Sequence, residues 1–108
     1  MSGKDAIIIQ RIKDELVFMR KSLENINRED FLTSESLQHI VMMALIIIGE
    51  NVNRLSDDFK NNYPDIEWVQ ITAVRNIAAH GYWQLNMEQI WKALETDVPE
   101  LELFFEGL

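Results

Sequence analysis

Residues 34–55 constrain this chain more than any other segment, because they read as a helix with two apolar faces. Thr33 or Ser34 supplies an N-cap and Glu35 an acidic first turn, and the pattern runs to about Leu55. Leu37, Ile40, Val41, Ala44, Leu45, Ile48 and Val52 recur at helical spacing along one stripe. Met42, Met43, Ile46 and Ile47 make a second. A surface helix needs a single stripe, so this one is either central in its bundle or packed against another chain. His39 and Glu50 share the second face; His39 reads as structural or interfacial, and a buried Glu50 carboxylate would need a partner such as Arg75 or Arg54.

The remaining segments are also helical in period. From about Asp5 to Asn27, residues Ile9, Ile12, Leu16, Met19, Leu23 and Ile26 alternate spacings of three and four, which is a bundle seam. Lys13, Glu15, Arg20 and Lys21 lie off the seam as a solvated face, and Asn27-Arg28-Glu29-Asp30 interrupts it. Ser56 caps a short helix from Asp57 to about Asn62, and Tyr63-Pro64-Asp65 turns the chain. Asp65 then reads as the N-cap of a helix from near Ile66, with Trp68, Thr72, Arg75 and Ala79 on one stripe and Gly81 at its C′ position. Asn86 caps the last helix, with Gln89 completing a capping box, and Pro99 kinks or restarts it. Its inner stripe is Met87, Ile90, Trp91, Leu94 and Val98. No segment alternates with period two, so the expectation is one all-α domain spanning 1–108, an up-down bundle of four or five helices.

Composition excludes several function classes. Ten basic residues against eighteen acidic ones leave a net charge of −8, which opposes nucleic-acid binding through a broad basic face. Any such site must gather its Arg or Lys locally, and the acidity suits a basic protein partner. No Cys is present, so disulfides and thiolate metal sites are excluded, and cytoplasmic location is expected. The start of the chain does not read as a signal peptide, and the run from Ile40 to Gly49 is too short to span a bilayer. Two His in all, without a clustered ligand pattern, leave no expected metal site.

The chemistry-bearing segment is Arg75-Asn76-Ile77-Ala78-Ala79-His80-Gly81-Tyr82-Trp83. In a helix Arg75 and His80 stand about 7.5 Å apart along the axis and about 140° apart in direction, so they meet only in a loosened last turn. Asn76, four residues before His80, stacks beneath it and can fix the imidazole tautomer. Carbonyls at a helix end favour a protonated His80 and Arg75 opposes it, a balance that can hold a histidine near neutrality. Taken singly, each residue has a bland structural role: a terminal charge partner, an ion-pair arginine, rim aromatics.

Arg75-x4-His80-x-Tyr82, with Asn76 directly after the arginine, resembles the signature of the HEPN superfamily and, more closely, of HepT-type toxins. The resemblance extends from about residue 5 to 105. Glu29-Asp30-Phe31-Leu32 is similar to the loop between the family's first two helices, and Ile46 to Leu55 to its IGEA-type helix. Tyr63-Pro64-Asp65-Ile66-Glu67-Trp68 is similar to its YPEIPW-type turn, and Asp97-Val98-Pro99-Glu100-Leu101 to its DLPEL-type end. Asn51 departs from the family's usual alanine, and Ala73-Val74 from its common Gly-Met. The resemblance implies a homodimeric HEPN bundle and a metal-independent, cofactor-free endoribonuclease acting on RNA, with Arg75 and His80 catalytic and Asn76 positioning. Glu50 is expected to position at most. It further implies a nucleotidyltransferase antitoxin of the MntA type that AMPylates Tyr82. Two other classes stay open on the residues alone: a non-catalytic module holding a nucleotide or the transferase, and a purely structural oligomerisation domain.

Overall fold

The structure, a computed structural model, describes residues 2–72 and 86–108. Every regular element among them is helical. In chain order these are α1 (Gly3–Ser22), α2 (Arg28–Leu32), α3 (Glu35–Arg54), α4 (Asp57–Asn61), α5 (the helical residues 68–72), α6 (Met87–Glu95) and α7 (Asp97–Glu106). The all-α expectation holds, and the arrangement is compatible with a HEPN-type bundle.

The seam of α1 is buried as its spacing requires: Ile9, Ile12, Leu16, Met19 and Leu23 all lie in the core, joined by Ile8. The helix ends at Ser22, earlier than the periodicity suggests. Asn25 takes a left-handed conformation (φ 61°), which a short amide side chain tolerates and a helix does not. The chain is thereby turned into Asn27, whose carboxamide accepts from the Asp30 N–H while the Asp30 carboxylate accepts from the Asn27 N–H. This reciprocal cap makes residues 28–32 a one-turn helix rather than the loop expected there. Its Phe31 is fully buried and stacks obliquely on Trp91 of α6, with ring centroids 5.5 Å apart.

α3 runs antiparallel to α1, its C-terminal end lying beside the start of α1. Ser34 caps it through the Leu37 N–H. Its first stripe is the core stripe, with Val41, Ala44, Ile48 and Val52 buried. The second stripe is divided: Met42 is buried, Ile46 and Ile47 are half-buried, and Met43 is 56% exposed.

Asp5 holds the corner where α3 ends. It is buried, although nothing in the periodicity of α1 marks it. Its carboxylate accepts from the Ser56 N–H (2.9 Å) and the Ser56 hydroxyl (2.6 Å). The same hydroxyl oxygen accepts from the Phe59 N–H to cap α4, as expected for Ser56. These bonds favour the ionised form and hold the Asp5 carboxyl below the ordinary carboxylate range against the opposing pull of burial.

Two sequence-level boundaries move near the end of the chain. Asn86 caps α6 through the Glu88 N–H, and no reciprocal bond from Gln89 completes a box. The break between α6 and α7 falls at Thr96, ahead of Pro99, which sits in the first turn of α7 where its missing N–H costs nothing. Arg20, read as solvated, instead ties α1 to this pair. Its Nη2 and Nε donate to Glu102 (2.6 and 3.2 Å), and Nη2 also donates to the Leu94 carbonyl (3.3 Å). Phe105, fully buried, closes the core. No helix among the described residues is long and apolar enough to cross a membrane.

Candidate functional site

Trp68 fixes the approach to the Arg75–His80 segment. Its indole N–H donates to the carbonyls of Lys60 (3.2 Å) and Tyr63 (3.1 Å). The ring meets Phe104 of α7 edge-on (centroids 5.8 Å apart) and packs obliquely on Phe59 (6.0 Å). Tyr63 packs edge-on against Phe104 as well, at 4.9 Å. Four aromatic rings, Phe59, Tyr63, Trp68 and Phe104, therefore clamp the turn before α5, and edge-to-face pairs of this kind add about 0.5–1.5 kcal/mol each beyond burial.

The helix itself starts later than expected. The Ile66 N–H donates to the Tyr63 carbonyl, closing a turn that contains Asp65. The first i to i−4 bond of α5 runs from the Ile71 N–H to the Glu67 carbonyl. Glu67, rather than Asp65, therefore stands at the helix start. Within α5 the Thr72 hydroxyl donates back to the Trp68 carbonyl at 3.2 Å.

Arg75, Asn76, His80 and Tyr82 lie outside the described residues, as do Ala79 and Gly81. Of the expected site residues only Glu50 is described. It is half-buried on the second face of α3, with Arg54 one turn further on the same side. His39, at the other end of that face, is exposed, and its Nδ1 lies 2.8 Å from the Glu35 carbonyl of the preceding turn.

One polar group beside Glu50 was not marked by any sequence pattern as unusual in its bonding. Asn51 is 6% exposed; its amide nitrogen donates to the Ile47 carbonyl (2.9 Å), and its Oδ1 has no hydrogen-bond partner among the described residues. The only signal was its departure from an alanine at that position in the family pattern. Among the described residues no group of His, Cys, Asp or Glu could hold a metal ion.

The match of residues 12–108 to the family model for ribonuclease HepT-like proteins decides the assignment. This chain belongs to the HepT-like ribonuclease family. A HepT-like protein of Thermococcus cleftensis, named "Probable ribonuclease HepT", is 31% identical over 100 residues, covering 93% of this chain and 91% of its own. Proteins named as candidate RNases are similar over nearly the same span. One from Methanocaldococcus jannaschii is 27% identical over 95 residues (88% of this chain, 84% of its own). Another, from Caldanaerobacter subterraneus subsp. tengcongensis, is 30% identical over 94 residues (87% and 84%). No solved structure matches the chain. The HepT-like relationship covers the aromatic clamp, α5, and the whole Arg75–Tyr82 segment that follows.

Proposed function

We propose that this chain is a metal-independent endoribonuclease, the toxin of a toxin–antitoxin pair, with Arg75 and His80 as its catalytic residues. The observation that carries the reading is the family match across residues 12–108, which contains the Arg75-x4-His80 pair intact. RNA brings its own nucleophile. His80 takes the proton of a 2′-OH, the 2′-oxygen forms a bond to the adjacent phosphorus, and the bond from phosphorus to the 5′-oxygen breaks. A proton returns to that oxygen from an imidazolium or from water. The products are a 2′,3′-cyclic phosphate and a 5′-OH. Arg75 offsets the negative charge that accumulates on the phosphoryl oxygens in the transition state. Asn76 orients the imidazole or the phosphate, and Glu50 acts at one remove as a positioning residue.

Homodimerisation supplies what an acidic chain of net charge −8 lacks, by gathering two Arg75–His80 pairs in one cleft. The second face of α3, with exposed Met43 beside half-buried Ile46 and Ile47, supports a second copy as the packing partner. The antitoxin in this reading is a nucleotidyltransferase of the MntA type. It transfers AMP from ATP to the Tyr82 hydroxyl and releases pyrophosphate. The added charge and bulk, two residues from His80 in sequence, then exclude RNA. The pair would act in the cytoplasm.

The deciding experiment is cleavage of RNA in EDTA by unmodified, partner-free protein, set beside Arg75→Ala and His80→Ala. The expected result is cleavage by the wild type and loss of at least about 100-fold in each variant, the scale of general acid–base and charge-stabilising groups. Retained cleavage in either variant would remove that residue from the mechanism. Inactive wild type shown by mass to carry no adduct would favour a non-catalytic binding module.

A further inference from the structure

We propose that the groove between α5 and the α6–α7 pair is a docking site for a basic, amphipathic helical segment of a partner protein. The groove encloses about 300 Å³ and is open to solvent. Its floor is apolar, formed by Leu45 of α3, Ile71 of α5 and Ile90 of α6. That size is at the lower end of ligand-binding clefts, which span roughly 300–1,000 Å³, and accommodates a few anchoring side chains.

The rim decides the chemistry of the occupant. Asp65 and Glu67 stand on the bank formed by the turn before α5, and Asp97 and Glu100 on the bank formed by the start of α7. All four are exposed, and no Lys or Arg is among the described residues lining the groove. Asp97 and Glu100 also suit the N-terminal turn of α7, as Glu67 suits the start of α5, while Asp65 stands one turn earlier on the same bank. Carboxylates on both banks repel a phosphate backbone and oppose RNA there. They match a segment with apolar anchors on one side and Lys or Arg flanking them. Apolar residues at helical spacing in a groove, framed by complementary charge, is a standard mode of peptide capture. Among the described residues, Glu50 is the one member of the proposed site, and it does not line the groove; peptide binding and RNA cleavage are read out separately, so the two readings fail separately.

The test uses the full chain and an acetylated 12-residue peptide of Leu and Lys, with leucines at i, i+3, i+4 and i+7. Affinity is measured by calorimetry and the contact surface by amide chemical shifts. The expected result is saturable binding, with shifts centred on the lining residues of α5, α6 and α7. Glu67→Gln with Glu100→Gln, one change on each bank, weakens binding at least tenfold while the protein stays folded and RNA cleavage is unchanged. Asp57→Asn with Asp58→Asn, the same charge loss outside the groove, changes affinity less than twofold. Equal weakening by the two double variants, shifts scattered over the acidic surface, or no binding at 1 mM peptide would each overturn the proposal. So would equal binding of a peptide with Glu in place of Lys, or shifts centred on the groove with a 12-nucleotide RNA instead.

Discussion

Asn51 shows how a single residue can be at odds with its surroundings. A buried acceptor without a donor costs about 1–3 kcal/mol, and asparagine is also a poorer helix former than alanine by a few tenths of a kcal/mol. Asn51→Ala removes both penalties and loses one bond to a carbonyl of its own helix. The variant is expected to gain about 1 kcal/mol and several degrees in Tm by thermal unfolding. A lower Tm would mean that Oδ1 acquires a donor in solution. Asp5 is the contrasting case, a buried carboxylate each of whose oxygens accepts a hydrogen bond. Its folded pKa lies below the ordinary value of 3.8, so the unfolded chain binds the proton first as pH falls. The stabilisation from Asp5 is therefore present above pH about 4 and lost as pH drops toward the depressed value. The Tm gap between wild type and Asp5→Asn should be constant near neutrality and narrow below pH 4. Glu15, raised by partial burial, works in the opposite sense: its contribution declines as pH rises from its ordinary value of 4.5 toward the raised one.

At the scale of elements, serine caps carry unequal weight. Ser34→Ala removes one bond to the Leu37 N–H and should cost about 1 kcal/mol. Ser56→Ala removes the α4 cap and the hydroxyl that Asp5 holds, so its Tm should fall further than that of Ser34→Ala. Equal losses would mean that the Asp5 bond adds nothing. The helix faces were readable in the sequence because burial imposes a period of 3.6, and the stripes of α1 and α3 follow it. Helix ends were less readable. They depend on bonds between a side chain and one particular backbone group, such as Asn27 with Asp30, or on a local conformation such as the left-handed Asn25. The tie from Arg20 to Glu102 spans 82 positions, and nothing in the local spacing of α1 could announce it. For the proposed site, the sequence offers residue types and order, Arg75-Asn76 through His80 and Tyr82, that proton transfer and phosphate chemistry would use, and these residues lie outside the described ones. The aromatic clamp on Trp68 was not legible, since Phe104 joins it from the far end of the chain.

For the molecule as a whole, the exposed part of α3 bears on assembly. Met43→Glu places a charge on the face proposed to receive a second copy. Under the dimer reading, sedimentation should show the wild type as a dimer and the variant as a monomer with an unchanged helical spectrum. Cleavage of RNA should fall with the dimer fraction. A variant that stays dimeric would move the interface elsewhere. Phe105→Ala tests the common core and should cost about 3–5 kcal/mol, as other buried Phe-to-Ala changes do.

The position of Phe105 also bears on the order in which the core can close. The ring that closes the core stands on α7, and Phe104 beside it completes the clamp on Trp68. Segments before α7 can pair α1 with α3, but the rings that seal that pair and brace the residues leading to Arg75 come only from α7, so closure of the core and bracing of that approach are one event.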